Sequence, residues 1–120
     1  MQTANSTHPA GSTIARELMG EIAPKFAELT DQVLFDDIWQ RPGLPPRERS
    51  LITVATLIAL NRSEQLPFHL QRALDNGITQ AELVEVITHL AFYAGWPTAA
   101  SAVNVLRQLP ANQTTAKSKE

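Results

Sequence analysis

The chain has 120 residues, a formal net charge of −2 and no cysteine. That length supports one domain with a modest core, and the charge offers no bulk attraction to nucleic acid or an anionic membrane. Without a thiol there is no disulfide, no thiolate metal site, and no thiol-peroxidase or CxxC redox chemistry.

Residues 1–12 are rich in Thr, Ser, Asn and Ala, with Pro9 and Gly11. They read as a disordered arm. They lack the apolar core of a signal peptide, so a cytoplasmic protein is expected. A short helix is expected over 14–22, from Ile14, Leu18 and Ile22 at i, i+4, i+8. Pro24 ends it, and a second helix follows from about Lys25, with Phe26, Leu29 and Val33 along one side and Leu34, Phe35, Ile38 and Trp39 beyond. Residues 41–46, RPGLPP, form a stiff loop, and Pro46 suits the first turn of the next helix, where its missing N–H costs nothing.

That next helix, about 46–60, begins polar with Arg47, Glu48 and Arg49 and then runs apolar from Leu51, broken only by Thr53 and Thr56. A helix apolar nearly all round must be buried on most sides, in a core or between subunits. It is too short to span a bilayer, which takes about 20 apolar residues. After a polar break at 61–65, Ser63 can cap a helix whose regular part Pro67 delays by a turn. Leu66, Leu70, Ala73 and Leu74 form its apolar side, and Asn76-Gly77 stop it in left-handed geometry. Thr79-Gln-Ala-Glu82 is a capping box, with Ile78 placed to staple onto Leu83. Its helix buries Leu83, Val86, Ile87, Leu90, Ala91 and Ala94. Gly95 ends it, and Pro97 opens a last helix to about Leu109, with Ala99, Ala100 and Ala102 small enough for close contact. Residues 110–120 are a polar tail, leaving 13–109 as the folded domain. No β-alternation persists, so the fold class is all-α.

Five arginines, Arg41, Arg47, Arg49, Arg62 and Arg72, lie among residues 41–72 against only Glu48 and Glu64, a local charge of +3. Arginine binds carboxylates through a bidentate fork, which points to an anionic, polycarboxylate ligand. The plainer alternative, favoured about two to one on the arginines alone, is a set of solvated or subunit-bridging charges, since exposed ion pairs contribute little. His69, between Phe68 and Leu70, can be a proton shuttle or a core histidine satisfied by the backbone. Glu48 at a helix start is stabilised there as an anion, with or without a catalytic role. His89 follows Glu85 at i, i+4, without the HExxH or second Glu-x-x-His that a metal site would show, so no metal is expected. Trp39, Phe92, Tyr93 and Trp96 read as core or subunit contact rather than a platform for bases.

Three stretches, LFDDIWQRPGLPPRERSLITVATLIAL, NRSEQLPFHLQRALDNGIT and EVITHLAFYAGWPTA, resemble the carboxymuconolactone decarboxylase family in content and order, over about residues 34–106. The resemblance implies the alkylhydroperoxidase D-like all-α fold, a homo-oligomer (trimer or hexamer), and active sites near subunit contacts. The redox branch of that fold carries CxxC four residues before a histidine matching His69. Its two cysteine positions correspond here to Arg62 and Gln65, so peroxidase chemistry is not expected. Glu48 and His69 fall on that branch's proton-relay carboxylate and histidine.

The implied reaction is cofactor-independent decarboxylation of 4-carboxymuconolactone, or a close lactone or oxo-acid, to 3-oxoadipate enol-lactone and CO2 in aromatic catabolism. On this reading the catalytic candidates are His69, Glu48 and His89. Arg47, Arg49, Arg62 and Arg72 would hold carboxylates, and Phe68, Trp39 and Trp96 would line a less polar pocket. The partner is a small anionic substrate, with no nucleic acid and no membrane. A non-catalytic oligomeric binding or scaffold protein of the same fold is the alternative.

Overall fold

A computed structural model describes residues 11–110 of the chain; the expected tail beyond Pro110 and all but the last two residues of the expected arm lie outside them. The described residues form six α-helices, one π turn and one 3-10 turn, with no strand among them. The all-α expectation therefore holds. No helix among the described residues is long and apolar enough to cross a membrane. They group into two compact units that meet in sequence at Pro45 and Pro46.

In the first unit, α1 spans Ile14–Met19 and α2 spans Pro24–Leu29, with Pro24 in the first turn where it lacks only an orphan donor. The expected run to Trp39 is not one regular helix. It widens into a π turn, Thr30–Phe35, closed by the Asp36 N–H on the Asp31 carbonyl, and then tightens into a 3-10 turn, Ile38–Gln40. Asp31, at the start of the irregular turn, has its side chain committed elsewhere. Its carboxylate accepts from the Ser12 hydroxyl at 2.6 Å and from the N–H groups of Ala15 at 2.9 Å and Arg16 at 3.0 Å. It thus caps α1, whose own Thr13 makes no cap bond. Burial pushes the Asp31 carboxyl up, but these donors and the Arg16 charge outweigh it and hold the group below the usual range. Ser12, expected to be part of the arm, is tied down here, its N–H also donating to Asp36.

The second unit holds four helices: α3, Pro46–Ala59; α4, Leu66–Asp75; α5, Gln80–Ala94; and α6, Trp96–Arg107. Helices α4 and α5 each pack on α3 and α6 rather than on one another. The core is the apolar stripe of each helix: Val54 and Ile58, Leu66 and Leu70, Leu83 and Ile87, Ala99, Ala102 and Leu106.

Local chemistry sets the ends of these helices. At the C-terminus of α3, Asn61 adopts φ +60°, its N–H donates to Ile58 and the Arg62 N–H donates to Leu57, both on carbonyls. This is a Schellman turn with asparagine in the left-handed place. The same pattern ends α4, where Gly77 has φ +101° and the N–H groups of Gly77 and Ile78 return to Leu74 and Ala73. Ser63 does not cap α4; the helix starts at Leu66 with Pro67 in its first turn. The Thr79–Glu82 capping box forms as expected.

Two faces read as buried in a core or between subunits are not buried within one chain. Helix α3 buries only one stripe, Ser50, Val54 and Ile58, while Ile52 and Leu60 stay over half exposed. Phe92, Tyr93 and Trp96 are not core residues of the chain but lie 84%, 78% and 74% exposed.

Helices α3 and α4 run antiparallel. Ile58 and Leu66 line one dent near the connecting turn, and at the other end the Asn76 amide donates to the Ser50 hydroxyl at 3.0 Å. Ser50 is wholly buried, so this bond satisfies a group that water cannot reach. We expect Ser50→Ala to cost about 1–2 kcal/mol by stranding the Asn76 amide. Gly77→Ala should cost a similar amount, about 1–2 kcal/mol, by forcing a Cβ into left-handed backbone. Urea unfolding measures both; a loss under a few tenths of a kcal/mol for either would contradict the assigned role.

Candidate active site

His69 lies on the second turn of α4, half-buried. The Phe68 ring meets it edge-on, with centroids 4.9 Å apart and planes at 90°. Arg72, one turn on, places its guanidinium 5.9 Å from the centre of the Phe68 ring. Burial first, and the Arg72 charge second, push the His69 imidazole from its ordinary 6.5 down to about 4. Both causes disfavour a second positive charge, so His69 is neutral at pH 7. Burial is the larger reason that it lies below the ordinary imidazole range, and the guanidinium at i+3 adds to it.

Arg47, Glu48 and Arg49 occupy the first turn of α3, each half-buried. Arg47 donates to the Glu82 carboxylate at 2.6 Å and lies 3.8 Å from Glu48. Glu82 is the capping-box glutamate of α5; the Thr79 N–H and then Arg47 hold it below the usual carboxylate range. Arg47 thus ties α3 to α5, and Glu48 lies beside Arg47. In the antiparallel pair, the level of His69 falls about two turns further along α3 than Glu48. At 1.5 Å per residue that is an offset of about 10 Å along the helix axis. Among the described residues no hydrogen bond or ion pair joins Glu48 to His69. His89 is exposed on α5, stacked on Tyr93 with ring centroids 4.9 Å apart.

Trp39 is buried in the first unit, its ring 6.4 Å from that of Phe35. Phe68 is 40% exposed and Trp96 74% exposed. Arg62, thrown outward by the Asn61 turn, lines an open dent with Leu57, Ile58, Ser63, Leu66, Thr98 and Ser101. It forms no ion pair among the described residues, although Glu64 is two positions on. Sequence reading passed over Thr98 and Ser101, because α6 read only as an alanine-rich packing helix.

The model of the carboxymuconolactone decarboxylase family matches residues 24–108. The 4-carboxymuconolactone decarboxylase of Acinetobacter baylyi is 36% identical over 93 residues, 78% of this chain and 69% of that protein. The nitrosuccinic acid decarboxylase of Metarhizium robertsii is 35% identical over 81 residues, 68% of this chain and 57% of that protein. This chain therefore spans a little over half of the second relative. Both relatives are carboxy-lyases, and so is the class to which these matches assign the chain. It belongs to the carboxymuconolactone decarboxylase family.

The depressed His69 pKa has a consequence for stability. Between about pH 4 and 6.5 the unfolded chain binds a proton at this position that the folded chain does not. The stabilisation is therefore complete above pH 6.5 and is lost as pH falls from there toward 4. Urea midpoints should drop less for His69→Gln than for the wild type over that window. An NMR titration of the His69 ring should give a midpoint well below 6.5; one at or above 6.5 would contradict the burial and charge described.

Proposed function

We propose that the chain is a cofactor-independent decarboxylase of a small dicarboxylate that carries its own electron sink, with 4-carboxymuconolactone as the first substrate to test. The observation that carries this reading is a neutral, half-buried imidazole beside an arginine, in a chain of this family. The two substrates named for the relatives fit one chemistry. Each keeps one carboxylate and loses another whose electron pair can flow into an acceptor, a lactone carbonyl through a C=C bond or a nitro group.

In the lactone, the C–C bond to the leaving carboxylate breaks and CO2 departs. Its electron pair moves through the ring C=C to the carbonyl oxygen as a dienolate, and a proton from solvent forms the new C–H bond at the α carbon. The protein must stabilise the growing oxyanion. A neutral imidazole N–H donating to that oxygen does so without titrating, and the nearby Arg72 charge adds to it. An imidazolium acid does not suit this site: with a pKa of about 4, only about one His69 in a thousand carries the proton at pH 7. In this reading Glu48, 3.8 Å from Arg47, sets the α3 terminus, and the step needs no relay from it.

We expect His69→Ala to lower kcat by about 10²-fold or more with little change in KM, because the bond to the oxyanion forms mainly in the transition state. His69→Gln keeps an N–H donor and should retain more activity than His69→Ala. Steady-state assay of CO2 release from the lactone measures both; equal loss in the two variants would reassign His69 to proton transfer. No turnover by the wild type would reject this substrate.

The chain also acts as a homo-oligomer in this reading. Leu18, Ile22 and Phe26 in the first unit, and Phe92, Tyr93 and Trp96 in the second, are all over 60% exposed. That is more large apolar surface than an isolated small domain keeps in water. Light scattering at micromolar concentration should give a closed oligomer, trimer or hexamer; a stable monomer would contradict it.

A further inference from the structure

The described residues include eleven serines and threonines, and eight of them use their hydroxyls within the fold. Thr30, Thr53, Thr56 and Thr88 donate back to the carbonyl four residues earlier. Ser12, Thr13, Ser50 and Thr79 bond to side chains or cap a helix. The remaining three, Ser63, Thr98 and Ser101, make no hydrogen bond among the described residues. All three line the same dent, and so does Arg62, which forms no ion pair among the described residues.

We infer that this dent is a carboxylate-binding subsite formed by Arg62, Ser63, Thr98 and Ser101. Three separate segments bring the donors together. The left-handed Asn61 turn projects Arg62, the link to α4 carries Ser63, and the first turns of α6 carry Thr98 and Ser101. A carboxylate offers about four acceptor directions, and a guanidinium fork with three hydroxyls can fill them. The starts of α4 and α6 lie at the same place, and their dipoles favour an anion there. Leu57, Ile58, Leu66 and Ala102 form an apolar floor for the adjoining carbon. The dent is shallow and open, so a carboxylate would rest across its mouth and the remainder of a substrate would lie outside it.

This carboxylate is the one the substrate keeps, an assignment that rests on the decarboxylase reading. Four donors stabilise a carboxylate's charge, and that stabilisation opposes loss of CO2 if it falls on the leaving group. The leaving carboxylate belongs in a less polar place. Specificity for a dicarboxylate over its monocarboxylate analogue then resides in α6, through Thr98 and Ser101, as well as in Arg62.

Binding and turnover test the two parts separately. Maleate titrated into the 15N-labelled full chain should shift the amide signals of Ser63, Thr98 and Ser101 saturably. Arg62→Ala should weaken that binding by about tenfold or more, and Thr98→Val and Ser101→Ala each by severalfold. Thr98→Val conserves volume, so it keeps the test alive if another variant fails to fold. Arg62→Lys should rescue poorly, because an ammonium does not reproduce the fork. Maleate shifts absent from these residues, or unchanged in Arg62→Ala, would overturn the subsite. In kinetics with the lactone, the same variants should raise KM with kcat nearly unchanged; a fall in kcat with KM unchanged would overturn the assignment to the retained carboxylate. Maleate binding as predicted, in a chain that never decarboxylates the lactone, would support the subsite and reject the substrate.

Discussion

Everything proposed for this chain depends on how α3 and α4 are pinned side by side. A Schellman turn at Asn61 ends α3 and turns the chain, and a second at Gly77 ends α4. The buried Ser50 hydroxyl and the Asn76 amide tie the far ends together. A fixed turn at one end of the antiparallel pair and one hydrogen bond at the other set its register, so the positions of His69, Arg72 and Arg62 follow from them. The same register keeps Glu48 with Arg47 and Glu82, at the opposite end from the connecting turn.

The arginines that looked alike in the sequence divide by their neighbours. Arg47 is engaged by carboxylates of α3 and α5 and acts as a structural tie. Arg72 lies over Phe68 and adds to burial in lowering the pKa of His69. Arg62 stands at the rim of a dent with three hydroxyls. Local charge density pointed to an anionic ligand without distinguishing the guanidinium that ties helices from the one at the dent. A neutral histidine and an arginine form a coherent pair for decarboxylation, since both stabilise negative charge that appears only as CO2 leaves.

Much of the fold was legible because its signals are local. Thr79 and Glu82, Gly77, Gly95 and Pro97 act within one turn of where they stand, and each marks a helix end where it was read. Asn61 passed as mere polarity, since asparagine enters the left-handed region less often than glycine. The long-range ties were not legible at all. Asp31 caps a helix start 15 and 16 residues away, and Asn76 reaches a serine 26 residues away, so no periodicity announces them. In the site, His69 and its neighbour at i+3 could be read from the sequence. The distance of Glu48 could not be read from its number alone, although a short link between two helices already implies that they run antiparallel.

The most direct test is a crystal structure of the full chain with an unreactive dicarboxylate lactone analogue bound. One carboxylate should rest on Arg62, Ser63, Thr98 and Ser101, with the lactone carbonyl oxygen within hydrogen-bonding distance of a His69 ring nitrogen. A ligand held elsewhere, or one whose carbonyl oxygen has no contact with His69, would contradict the account.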